Sequence, residues 1–156
     1  MTTPSMQWPL AIASWGIALF ATLQLQFLPS SALGNHSVCG PWGCGPPLSV
    51  LLACHAFWMV LIAPPSLIAA RRLRPQTVCA LGLALVSAAI LGLIAVGVWE
   101  AATWWPQASE WGRPYVVHRY LFAVFTLTDA PLLEALAVGG GVWFVGLKRL
   151  NGLPAQ

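Results

Sequence analysis

The chain has 156 residues, 58% of them hydrophobic and only 7% charged, with a mean hydropathy of +0.76 and a formal net charge of +3. So few charges could not cover the surface of a soluble domain of this length, which places the chain among the polytopic membrane proteins. Nucleic acid is excluded as a partner, because the seven basic residues gather chiefly in two short clusters and form no stripe able to follow a phosphate backbone.

The chain reads as a single integral membrane domain over residues 1–156. The opening MTTPSMQW carries no Lys or Arg ahead of the apolar run and no convincing Ala-x-Ala site follows, so no cleavable signal peptide is expected. A first span is expected over residues 8–28, apolar except for Ser14, Thr22, Gln24 and Gln26. A loop rich in Gly, Pro and Ser then carries HSVCGPWGCGPP. Within it Gly40-Pro41-Trp42-Gly43 suits a β-turn, with proline second and glycine fourth, which brings Cys39 and Cys44 within disulfide reach.

A second span is expected over residues 47–70, with Pro47 tolerated in its first turn and a kink or break at Pro64-Pro65, where two backbone donors are missing. The third span, residues 77–99, holds no charge and is long enough to cross a hydrocarbon layer. Arg71, Arg72 and Arg74 stand at one end of it, and Trp99, Glu100, Trp104 and Trp105 at the other. Ala80, Ala84, Ala88 and Gly92 fall every fourth residue and form a small-residue face for a neighbouring helix.

Beyond an interfacial stretch marked by Trp104, Trp105, Trp111 and Tyr115, residues 116–149 allow two readings. One long kinked helix would hold Asp129 and Glu134 near mid-membrane. Alternatively, Asp129 caps a new helix whose first turn holds Pro131, residues 130–149 cross alone, and His118 to Thr128 lie along the outer surface. A carboxylate at the membrane centre costs roughly 2.5–3.5 kcal/mol on insertion scales, which favours the broken version. Either reading gives an all-α, antiparallel bundle of four transmembrane helices. With both termini in the cytoplasm, Arg71, Arg72, Arg74, Lys148 and Arg149 lie inside, and only Arg113 and Arg119 lie outside. An inner or plasma membrane location follows, with the lipid bilayer as the first partner.

Several residues could carry chemistry. Cys39 and Cys44 form either a structural staple or a redox pair, with the start of the following helix able to activate Cys44. In its layout of four membrane helices with external cysteines, the chain resembles the membrane disulfide-forming enzymes of the DsbB and vitamin K epoxide reductase families. That resemblance is architectural, covers no aligned stretch, and implies thiol–disulfide exchange at the outer face through Cys39 and Cys44. Those families use Cys-x2-Cys where this chain has Cys-x4-Cys, and here Cys54 and Cys79 fall inside spans at different depths.

His36 with Cys39 and Cys44 offers an incomplete zinc or copper set. His55 and Met59 share a helix face on which copper(I) or haem could sit, with His118 as a second imidazole. Asp129 and Glu134 point about 140° apart on a helix, so they do not form a dyad; Arg119 or His118 could neutralise one of them if the backbone breaks. Gly139, Gly140 and Gly141 permit close helix contact or bending. With no nucleotide motif and no nucleophile–base set, the expected role is a non-enzymatic accessory or structural component of a membrane assembly, with no resident cofactor. Helix contacts with itself or another membrane protein would run through Ala80, Ala84, Ala88, Gly92 and the three glycines.

Overall fold

A computed structural model describes residues 4–28 and 37–152, so His36 lies outside the described residues. The chain is mostly helical. Helix α1 spans Pro4–Gln24, followed by a 3-10 turn, Leu25–Phe27. A two-stranded hairpin, β1 (Ser37–Gly40) and β2 (Gly43–Pro47), pairs Cys39 with Cys44 across its register and turns at Pro41-Trp42. Helix α2 is Leu48–Arg72, α3 is Pro75–Thr103, α4 is Val116–Phe122 and α5 is Leu132–Leu150. Three segments are long and apolar enough to cross a membrane (Trp8–Phe27, Leu48–Arg72 and Pro75–Gln107), and a fourth crossing arises if the bent pair around residues 128–131 counts as one.

The expected interruption of the second span takes another form. Helix α2 runs through Pro64 and Pro65 without a break in its assignment. Proline 64 has no N–H for the carbonyl four residues earlier, that of Val60. That carbonyl instead accepts from the Trp15 indole Nε1 of α1, at 2.7 Å. An unmet carbonyl in apolar surroundings costs several kcal/mol, so the indole from the neighbouring helix offsets the loss at Pro64. It also seats α1 against α2, as does Arg72, whose guanidinium lies 5.1 Å over the Trp8 ring.

Helices α3 and α5 pack most closely, antiparallel, and the contact is built from small residues seven apart. A side chain at Gly82 would strike the backbone of Trp143. One at Gly139 would meet Leu85 and Val86, and one at Gly146 would meet Cys79. Ala89, seven positions after Gly82, is buried on the same face of α3, with Val78 and Val142 beside the contact. A repeat of seven keeps one face towards an antiparallel partner at a shallow crossing angle, and small side chains there let the backbones approach.

This corrects the expected contact face. Ala80, Ala84 and Ala88 are exposed, on the far side of α3 from α5. At about 100° per residue, Ala84 lies about 200° round the helix from Gly82. Of the expected set, Gly92 does meet α5, through Leu132. Gly139 is at the contact, whereas a side chain at Gly140 or Gly141 would meet nothing within 4 Å of its Cβ.

The last third is broken. After the tryptophan-rich stretch and short turns at Trp105–Gln107 and Arg113–Tyr115, α4 ends in a π turn, Ala123–Leu127. The Thr128 N–H closes that turn on the Ala123 carbonyl at 3.0 Å. The axis then swings by 84° into α5. Pro131 keeps the helix from resuming before it, since Ala130, the residue ahead of the proline, is pushed out of helical geometry. The expectation that Asp129 caps the new helix is not met: α5 begins at Leu132, Pro131 holds the N-cap position, and no side chain caps it. At the opposite end, Arg149 donates through Nη1 to the carbonyls of Ala70 (2.5 Å) and Leu73 (3.2 Å), closing the last turn of α2.

Two measurements check this packing. Trp15→Phe is expected to cost about 1–2 kcal/mol in unfolding assays in mixed micelles. In a Pro64→Ala background, which restores an N–H for Val60, that cost should fall to well under half. Gly82→Leu should cost about 1–3 kcal/mol through overpacking, while Gly141→Ala, facing open space, should be neutral or slightly stabilising.

Candidate functional site

The polar groups that matter gather around the break between α4 and α5. Glu134 sits in the first turn of α5, where the positive helix end favours a carboxylate, and is only 5% exposed. Its Oε1 lies 2.5 Å from Nδ1 of His55, about two turns into α2 from its start. The other ring nitrogen of His55, Nε2, lies 3.0 Å from the Phe125 carbonyl in the π turn. That carbonyl can only accept, so Nε2 carries a proton and donates it. The remaining proton lies between Nδ1 and Oε1, as imidazolium with carboxylate or as imidazole with carboxylic acid. Both forms are neutral overall, which is how an acid can be buried here without an isolated charge.

The break and the pair depend on each other. Ending α4 leaves the Phe125 carbonyl short of a helical N–H, and His55 takes it. Within the π turn, Thr126 Oγ1 donates to the Phe122 carbonyl at 2.5 Å, and Thr128 Oγ1 joins its own N–H on that of Ala123, at 2.9 Å. Irregular backbone amid apolar residues is tolerated only where such partners exist.

A second charged group lies towards the hairpin. Arg119 donates Nε and Nη2 to the two Glu100 oxygens, at 2.5 and 3.1 Å, and Nη1 to the Trp42 carbonyl at 2.8 Å. The pair is largely buried, at 16% and 11% side-chain exposure, so its fixed fork ties α4, α3 and the hairpin tip together. Trp42 stacks on His118, centroids 5.3 Å apart and planes 18° apart, with Tyr115 edge-on to His118. Gly43, at φ +125°, and Gly45 turn bare backbone towards Arg119, Phe122 and Thr126. Strand alternation then sends Cys44 to the other face, and both Cys39 and Cys44 are exposed, with their sulfurs at disulfide distance and Cα atoms 4.1 Å apart.

Beneath the hairpin a cleft of about 600 Å³ opens between α2 and α4. Its lining includes Trp42 and His118 near the hairpin, and Leu51, Leu121, Phe125 and His55 further along the helices.

Of the residues singled out from the sequence, Cys39 and Cys44 come together. Glu134 finds a partner, but it is His55, not Arg119 or His118; Arg119 belongs to Glu100. Asp129 is exposed in the break and makes no side-chain hydrogen bond among the described residues. Met59 and His55 line one small pocket with Glu134, yet both His55 nitrogens are already engaged, so it offers no lone pair to a metal or haem iron as it stands. Cys44 lies in β2, three residues before Pro47, the N-cap position of α2. Among the described residues no three of His, Cys, Asp and Glu come together as a metal set. Cys79 lies against Gly146 at the other end of the molecule, its sulfur 4.0 Å from the Trp143 carbonyl.

Two pairings have no signature in the sequence. Residues 55 and 134, or 100 and 119, stand on different helices, and only their shared distance from the hairpin-side ends hints at contact. No protein-family model, no curated protein and no solved structure matches the chain.

Glu134→Ala should be destabilising, by about 1–3 kcal/mol, because it leaves Nδ1 of His55 without a partner. Replacing both partners, His55→Leu with Glu134→Leu, should cost more than Glu134→Ala alone, because it also leaves the Phe125 carbonyl without its donor; the same micelle unfolding assay measures both.

Proposed function

We propose that the chain is an integral membrane protein of four crossings, the α4–α5 pair counting as one, with both termini cytoplasmic, and that it serves as a non-enzymatic component of a membrane assembly. One observation carries this reading. Helix α5 occupies the Gly82 and Ala89 face of α3, leaving the opposite face of Ala80, Ala84 and Ala88 exposed. Lipid gains little from small side chains, whereas another helix gains close backbone approach, so such a face suits a helix from a partner protein or a second copy. The orientation is supported by Arg149, which holds the end of α2 and so keeps Arg71, Arg72, Lys148 and Arg149 at one end of the molecule, opposite the hairpin.

The exposure of Cys39 and Cys44 favours a second reading, a thiol–disulfide oxidoreductase at the outer face. In that exchange two client thiols become a disulfide while the Cys39–Cys44 bond opens to two thiols, so two electrons and two protons pass to this chain.

Purification in mild detergent, with and without Ala84→Trp, tests the assembly role. The expected result is a defined companion, or a dimer, that is lost in the variant while its unfolding midpoint is kept. A lone monomer in both preparations, or a companion set untouched by Ala84→Trp, overturns it. Reduced client thiols that become oxidised by the purified protein in proportion to its Cys39–Cys44 content would establish the second reading instead.

A further inference from the structure

A groove of about 670 Å³ runs between the last turns of α3 and the stretch from Arg119 to Ala130. Three charged groups line it: Glu100, Arg119 and Asp129. The first two neutralise each other, and every Arg119 nitrogen already donates, two of them to Glu100 and one to the Trp42 carbonyl. Asp129 is exposed, makes no side-chain hydrogen bond among the described residues, and meets no opposing charge of its own in the groove. The groove therefore carries one uncompensated negative charge.

The two hydroxyls of the lining have also committed their hydrogens. Thr103 Oγ1 donates to the Trp99 carbonyl at 2.8 Å, and Thr128 Oγ1 to that of Ala123 at 2.9 Å. Each oxygen keeps a lone pair, so hydroxyls and carboxylate alike present acceptors. A primary ammonium answers such a set with three donors and a positive charge, whereas an anion would meet Asp129 and lone pairs. Trp99, 68% exposed, adds an indole face that attracts a cation. Ala95 and Val96 on α3 and Leu127 across from them supply apolar wall for a hydrocarbon chain attached to that head.

We propose that this groove holds the primary ammonium of an amphiphile, a free long-chain amine or the headgroup of an aminophospholipid, with Asp129 as its counter-ion. The proposal rests on the reading of the chain as a membrane protein, and it needs neither a companion helix on α3 nor any chemistry at Cys39 and Cys44.

The test places the full chain in phosphatidylcholine nanodiscs and titrates it with dodecylamine in a calorimeter, against protein-free discs. A saturable heat is expected from the protein alone. Asp129→Asn, at an exposed position, should weaken it by about tenfold or more. Dodecyltrimethylammonium, with the same charge and chain but no N–H, should bind about fivefold more weakly than dodecylamine. Should Asp129→Asn lower the unfolding midpoint, Ala95→Phe, which fills the groove from an exposed position, makes the same measurement. Replacing part of the phosphatidylcholine by phosphatidylethanolamine distinguishes the two sources. Weaker dodecylamine binding there assigns the site to the lipid headgroup, unchanged binding assigns it to a free amine, and either result upholds it. The absence of a saturable heat beyond that of empty discs overturns the proposal. So does binding unchanged in Asp129→Asn and Ala95→Phe, or equal binding of the trimethylated compound. A chain that does not enter the discs at all overturns the membrane reading and this proposal with it, whereas the other outcomes bear on the groove alone.

Discussion

A carbonyl released from its helical partner inside apolar surroundings must find another donor, and this constraint organises the molecule. Pro64 releases Val60, and Trp15 answers from α1. The end of α4 releases Phe125, and His55 answers from α2. The end of α2 releases Ala70 and Leu73, and Arg149 answers from α5. In each case the donor comes from a different helix, so local departures from regular geometry become the ties between helices. Apolar side chains cannot supply such ties where lipid competes equally for their surfaces, which leaves close packing and polar contacts to fix the arrangement.

Much of the layout could be read from the residues. Uncharged runs of about twenty residues marked the helices, Pro41 and Gly43 marked the turn, and Asp129-Ala130-Pro131 marked the stop. The sequence could not show that Pro64 would be tolerated, because the compensating donor sits 45 residues away on another helix. It misdirected attention on α3 for a related reason. Spacing by four picks out Ala80, Ala84 and Ala88, while the contact with α5 follows a spacing of seven through Gly82 and Ala89, matched by Gly139 and Gly146. Both patterns are present, and only the partner's own spacing distinguishes them.

The candidate site shows the same limit. His55 and Glu134 each stand out as polar groups in apolar runs, but the sequence suggests Met59 and Arg119 as their neighbours. Their actual pairing depends on α5 beginning at Leu132, a consequence of the break. Helix ends that face one another at such a break are places where fixed partial charges and a titratable pair can coexist without exposed charge. The hairpin adds a division of labour: glycine backbone and Trp42 turn inward to cover the cleft, and the cysteines turn outward.

The pairing of His55 with Glu134 also bears on how the chain is made. The imidazole precedes its carboxylate by 79 residues, so α2 leaves the ribosome long before α5 does. When the acid emerges, the imidazole that pairs with it is already part of the chain. Synthesis from the amino end thus gives the carboxylate of the final helix a ready partner on one made earlier.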